Sequence, residues 1–233
     1  DWKKVGSLRL AGSDVRLAEI KRSLTQARGF GVEAELLTPA EAVQRFPLIE
    51  PKGIKGAAWI PGDGYVDPNS LTQAYAKVAR RGGVRIREGV LVTGFERSGR
   101  RLTAVLTDQG RIACETVVNC AGIWARRVGE MAGATIAAGA VEHQYMLTEK
   151  KLDLPADLPT LRDPDRLFYL KPDVGALAVG GWEPDTRPLW REGVPFEFAR
   201  ELLPPDMDRF ERIALPAAER PLDVFIPTDA DAN

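Results

Sequence analysis

His143 is the one histidine in the chain and lies in Glu142-His143-Gln144-Tyr145. An imidazole titrates near neutrality, so it can accept or relay a proton; alternation along a strand would place His143 with Tyr145 on one face, where a lone His is more often a satisfied packing residue than a catalyst. Tyr169, in Leu167-Phe168-Tyr169, reads by its type and place as a half-buried core residue. Thr116-Val117-Val118-Asn119 reads as an apolar strand that breaks into Cys120-Ala121-Gly122 and enters a helix. Small side chains at such a corner let the backbone approach a phosphate-bearing ligand, and they also serve tight packing. Gly29-Phe30-Gly31-Val32-Glu33-Ala34 matches G-x-G-x-x-A. It follows a helix, whereas a dinucleotide site needs a strand running into a helix, so it reads as a helix-ending turn. Cys114 and Cys120 flank the expected strand, too far apart along it for a disulfide. With one His and no Cys-x-x-Cys, no metal site is expected.

The elements that must carry these residues follow from periodicity. Val15, Leu17, Ile20 and Leu24 have helical spacing over 14–27, with Gly29 as the stop. Thr38-Pro39-Ala40-Glu41 is a capping box opening a helix that ends at Pro47. A strand over 56–60, a turn over 61–64 and a helix from Asp67-Pro68 come next; Leu71, Ala74, Tyr75 and Val78 give that helix an apolar face ending at Gly82-Gly83. Between Val84 and Asn119 the pattern becomes short strands separated at Ser98-Gly99-Arg100 and Asp108-Gln109-Gly110. A helix over 122–131, a strand-like run over 141–148, a strand pair over 167–170 and 176–179, and helices over 196–203 and 207–213 complete the reading, with an irregular chain beyond Pro216. The class is α/β of the α+β kind, in two interleaved layers.

Composition bounds the function. The 233 residues are 44% hydrophobic, enough for one large or two modest domains. A formal net charge of -1, with both signs interspersed, gives no footprint for nucleic acid or an anionic membrane. No apolar run approaches the roughly 18 to 20 residues of a membrane span, and Asp1-Trp2-Lys3-Lys4 lacks a signal-peptide core, so a cytoplasmic protein is expected. A first residue other than Met suggests a fragment or a processed chain.

Five stretches occur in order: Gly6-Ser7-Leu8-Arg9-Leu10-Ala11, Leu37-Thr38-Pro39-Ala40-Glu41, Gly62-Asp63-Gly64-Tyr65-Val66-Asp67-Pro68, Val117 to Ala125, and Glu142-His143-Gln144-Tyr145. Over roughly residues 1 to 213 the chain resembles the FAD-dependent oxidoreductases that demethylate dimethylglycine and sarcosine, within the D-amino-acid-oxidase-like superfamily. The resemblance implies a Rossmann-like FAD-binding domain interleaved with a substrate domain on an antiparallel or mixed sheet. Residues 66–134 would belong to the FAD domain, 1–65 and 135–213 to the substrate domain, and 214–233 to an irregular tail. Val92 would meet the FAD adenine through its backbone, and Cys120, Ala121 and Gly122 would pass close to the cofactor. His143 and Tyr169 would be active-site residues, Tyr169 also near the flavin ring. The implied reaction is oxidation of an N-methyl amine to an iminium, with His143 taking the amine proton. The family's Gly-rich phosphate loop is not matched, so weak FAD binding and little activity are expected of this chain alone. A folate-binding C-terminal module, a possible partner site in such enzymes, is also unmatched. A non-catalytic regulatory relative, like the regulatory subunit of pyruvate dehydrogenase phosphatase, or an inactive truncated product are the alternatives. Trp182, Trp190, Phe196 and Phe198 are expected to form an exposed docking patch.

Overall fold

The structure, a computed structural model, describes residues 2–148, 154–173, 175–198 and 201–219. Along the chain run β1 (Ser7–Ala11), α1 (Asp14–Gly29), β2 (Glu35–Leu37), α2 (Pro39–Arg45), β3 (Gly56–Ile60) and α3 (Pro68–Arg81). Then come β4 (Val92–Ser98), β5 (Arg101–Thr107), β6 (Gly110–Ala113), a 3-10 turn over Gly122–Trp124, α4 (Ala125–Met131), β7 (Ala140–Val141) and β8 (Tyr145–Leu147). The last elements are β9 (Thr160–Asp163), β10 (Phe168–Asp173), β11 (Ala176–Gly181), β12 (Pro188–Leu189) and α5 (Met207–Ala218). They divide into two compact units whose segments alternate along the chain: Asp1–Gln73, His143–Pro184 and Pro205–Asn233 in one, Ala74–Glu142 and Asp185–Pro204 in the other. The expected class, helices with antiparallel and mixed sheets in interleaved parts, is what the chain adopts.

The first unit is built on a seven-stranded sheet in the order β2-β3-β1-β9-β10-β11-β8. The β1–β9 pair is parallel and its other pairs are antiparallel. In β1 the sequence alternates, and Leu8 and Leu10 point into a core shared with Leu161, Phe168, Leu170 and Val179. Phe46, just after α2, and Phe210 and Ile213 of α5 close that face. On the other face α1 lays Ile20 and Leu24 against Ala11 and Ala58, covering the β1–β3 end.

Helix boundaries follow the caps. The Ser13 hydroxyl accepts from the Arg16 N–H at the start of α1. At its end the N–H groups of Phe30, Gly31 and Val32 return to carbonyls of the last turn, with Gly31 at φ +73. The G-x-G-x-x-A match is therefore the helix-ending turn expected. In α2 both arms of the capping box are made: the Glu41 N–H donates to Thr38 Oγ1 and the Thr38 N–H to Glu41 Oε2. Thr38→Ala is expected to cost about 1 kcal/mol, readable as a lowered urea midpoint with an unchanged slope.

The second unit carries the three-stranded β4-β5-β6 sheet, turning at Ser98-Gly99-Arg100 and Asp108-Gln109-Gly110 as the sequence indicates, and the two-stranded β12-β7 sheet. Several expectations need correction. Thr116–Asn119 is not a strand: β-branched residues favour extended backbone, but among the described residues no strand pairs with them, and Val118 stays exposed. The run over 141–148 splits into β7 and β8, so His143 lies between strands. No helix forms over 196–198 or 201–203. There the Phe196 ring lies 4.0 Å under the Arg127 guanidinium and Phe198 meets Trp190 at a tilt of 49°, contacts that replace helical packing. Conversely, α5 continues through Pro216 to Ala218, because Ile213 and Ala217 are buried on the core; the rest of the irregular tail expected over 214–233, from 220 on, lies outside the described residues. Of the four aromatic residues expected in a docking patch, Trp182 is exposed and meets Tyr169 edge-on, while Trp190, Phe196 and Phe198 are half-buried with the partners just named.

Candidate active site

The segment bearing His143 is pinned by its neighbour. Gln144 Nε2 donates to the Asp206 carbonyl at 2.8 Å and the Asp206 N–H donates to Gln144 Oε1 at 3.1 Å. Asp206 in turn caps α5, accepting from the Arg209 N–H. Exposure still alternates, with His143 and Tyr145 outward and Glu142 and Gln144 half-buried, so the expected facing holds although the ladder is broken.

His143 Nδ1 stands 3.1 Å from Oε2 of Glu183, whose side chain is only 2% exposed. The other carboxylate oxygen, Oε1, lies 3.6 Å from Arg209 Nη2. Glu183 thus sits between a cation from α5 and the imidazole, just beyond the end of β11. A carboxylate at Nδ1 selects the tautomer with Nδ1–H donated inward, which leaves the Nε2 lone pair for a substrate. Neither Glu183 nor Arg209 was singled out from the sequence. The available signal was an acid, in Trp182-Glu183-Pro184, directly after the apolar run of β11.

Tyr169 projects from β10 opposite Gly180 of β11 and Arg162 of β9. A Cβ on Gly180 would stand 2.3 Å from the Tyr169 hydroxyl oxygen, so the phenol needs a glycine beneath it. Trp182 meets the same ring edge-on at 5.6 Å. Burial pushes the Tyr169 pKa above 10.0, helped by Tyr145 and Glu183 and opposed by Arg162. The phenol is therefore a neutral donor over the working range. An acid whose folded pKa is raised favours the folded state through its neutral form, so this contribution is present below 10.0 and lost as pH rises through the folded value. Following phenolate absorbance during alkaline titration, a component above 10.0 should be seen, and Tyr169→Phe should remove it. A wild-type curve unchanged by the substitution would contradict the assignment.

The remaining sequence candidates lie in the second unit. Val92 opens β4, paired with Thr107 of β5. At Cys120-Ala121-Gly122 the Asn119 side chain braces the corner: its Oδ1 accepts from the Ala121 N–H at 3.1 Å and its Nδ2 donates to the Ala125 carbonyl at 2.9 Å. Gly122 has φ +54, a left-handed value that suits glycine, and a Cβ there would meet nothing within 4 Å. The backbone is open to close approach, which fits the edge of a nucleotide cofactor. Both cysteines are free thiols. Among the described residues no group of three or more His, Cys, Asp or Glu side chains could hold a metal ion, and no helix is long and apolar enough to cross a membrane.

A family model described as DAO, FAD dependent oxidoreductase, matches residues 1–222. The chain belongs to this family. It is 35% identical over 214 residues to mouse mitochondrial sarcosine dehydrogenase, covering 90% of this chain and 23% of that protein. It is 34% identical over 212 residues to human mitochondrial dimethylglycine dehydrogenase, covering 88% of this chain and 24% of the relative. The mouse mitochondrial pyruvate dehydrogenase phosphatase regulatory subunit is 31% identical over 213 residues, with 90% and 24% covered. The chain thus spans about a quarter of the length of these relatives. Among solved structures, L-proline dehydrogenase from P. horikoshii superposes with a TM-score of 0.77 at 25% identity, over 94% of this chain and 56% of that one. Glycine oxidase from Geobacillus kaustophilus gives 0.73 at 24% identity, with 96% and 56% covered.

Proposed function

We propose that this chain forms part of an FAD-dependent amine oxidoreductase that oxidatively demethylates an N-methylated glycine such as dimethylglycine or sarcosine. The observation that carries the reading is the imidazole of His143 held at Nδ1 by the buried Glu183 carboxylate. A substrate amine reaches the protein as an ammonium, which has no lone pair to stabilise a cation on the adjacent carbon. His143 Nε2 takes that proton, while Glu183 keeps the ring oriented and offsets the charge it acquires. Tyr169 donates a hydrogen bond from its neutral hydroxyl and holds the substrate's orientation. FAD, when bound, supplies the acceptor for the electron pair of the methyl C–H bond. Cys120, Ala121 and Gly122 would hold it through the open backbone at the corner, and Val92 through its main chain. Residues 66–134 are assigned to the FAD-binding part on the same reading.

Likeness to a regulatory subunit supports a second reading, in which the chain works through protein contacts alone. One experiment separates the two. The protein is mixed with FAD, freed of excess, and its visible flavin bands are followed as dimethylglycine or sarcosine is added without oxygen. Bleaching by either amine supports the oxidoreductase. Flavin that is retained but stays oxidised favours the regulatory reading; a colourless protein is the weak FAD binding expected of this chain alone and calls for the same titration on the longer enzyme.

A further inference from the structure

Helix α5 reaches the candidate site at two points. At its N-cap, Asp206 exchanges two hydrogen bonds with the Gln144 side chain and so fixes the residue after His143. One turn further on, Arg209 Nη2 stands 3.6 Å from Oε1 of Glu183, and the two side chains are only 11% and 2% exposed. Phe210 and Ile213 of the same helix are buried in the core, which anchors both contacts. The other oxygen of that carboxylate meets His143 Nδ1 at 3.1 Å. One buried carboxylate is therefore shared by a permanent cation and by a ring that can be charged or neutral.

Charge balance decides the state of the ring. A buried carboxylate needs a positive partner. A guanidinium cannot give up its proton in a protein. With Arg209 in place the group Arg209, Glu183 and His143 is electrically neutral when the imidazole is neutral, and in that form Nε2 has a lone pair. With the guanidinium gone, the same carboxylate favours a second proton on the ring. An imidazolium cannot take the proton of a substrate ammonium.

We infer that Arg209 is a positioning residue that keeps His143 in its neutral, proton-accepting form. The inference rests on the proposed function for the use of the neutral ring, and on the geometry of α5 for the ring's state. Other ionisable groups stand on the surrounding elements: the phenols of Tyr145 on β8 and Tyr169 on β10, Arg162 on β9, and Asp206 at the α5 cap. On α5 itself Asp208, Glu211 and Arg212 are exposed. All of these are common to the wild type and to the variants below, so a change on substituting Arg209 reports that residue.

His143 is the one histidine of the chain, so nitrogen NMR reads its ring without overlap, with neither flavin nor substrate present. Arg209→Gln should move the ring's titration midpoint upward by about 1 pH unit or more. Arg209→Lys, which keeps a cation, should hold it close to the wild-type value. A midpoint unmoved in Arg209→Gln, or moved as far by Lys as by Gln, overturns the inference. Should Arg209→Gln fail to fold, the comparison passes to Glu183→Gln and the Glu183→Gln/Arg209→Gln double variant, neither of which strands a buried carboxylate. The double variant should titrate at the higher pH, because the single one leaves the guanidinium unopposed near the ring; equal midpoints again overturn the inference. Retained flavin that no amine reduces would instead overturn the proposed function, while the NMR titration still judges Arg209.

Discussion

In the full-length enzyme that the proposed function implies, His143→Ala is expected to slow flavin reduction by an N-methyl amine by about 10²- to 10⁴-fold, while the amount of flavin retained after removal of excess stays at the wild-type level. The size follows from what is removed. Oxidation needs the free amine, and under the proposed function the group that collects its proton is the imidazole whose Nδ1 is occupied by Glu183. The His143 side chain is 41% exposed, so it is open to a ligand, and truncating it opens no cavity in the core. Glu183 keeps Arg209 beside it at 3.6 Å, so the buried carboxylate is not stranded and the fold should survive. A base and a packing residue then predict different pH behaviour. Loss of a base should be partly relieved at high pH, where more amine is already deprotonated, whereas loss of packing should lower activity evenly. Turnover equal to wild type would remove His143 from the chemistry.

Much of the fold was legible because the signals were local. The Thr38 capping box, the helix over 14–27, and the hairpin turns at Ser98-Gly99-Arg100 and Asp108-Gln109-Gly110 each depend on residues a few positions apart. The failures share the opposite property. Thr116–Asn119 has strand propensity, but a strand exists only if a distant segment pairs with it, and none of the described segments does. Pro216 predicts a helix end, yet burial of Ala217 against the sheet carries α5 past it. The site divides along the same line. His143 and Tyr169 were found through resemblance, whereas their physical context was not readable. Glu183 lies 40 residues from His143, and Gly180 earns its place only through the ring that crosses it.

Phe168→Ala should have the largest effect on stability, about 3 to 5 kcal/mol. Phe168 has no exposed surface and packs in the core closed by Phe210 and Ile213. It also sits in a strand held on both sides, with Asp163 of β9 and Gly181 of β11 as its partners, so the backbone cannot collapse into the space the ring leaves. The cost should appear as a fall in urea midpoint at constant slope. Phe168→Leu, which keeps most of the volume, should lose much less. A Phe168→Ala variant within about 1 kcal/mol of wild type would mean that the core repacks and that β10 is not rigidly held. The consequence extends to the site, because Tyr169 is the next residue and points to the opposite face. If the ring of Phe168 is what fixes β10 against the core, its removal should loosen the contact of Tyr169 with Gly180. Greater solvent access would then bring the phenol's titration back toward 10.0. A variant that loses stability but keeps the raised tyrosine would show instead that Tyr169 is held from its own face, by Trp182 and Gly180.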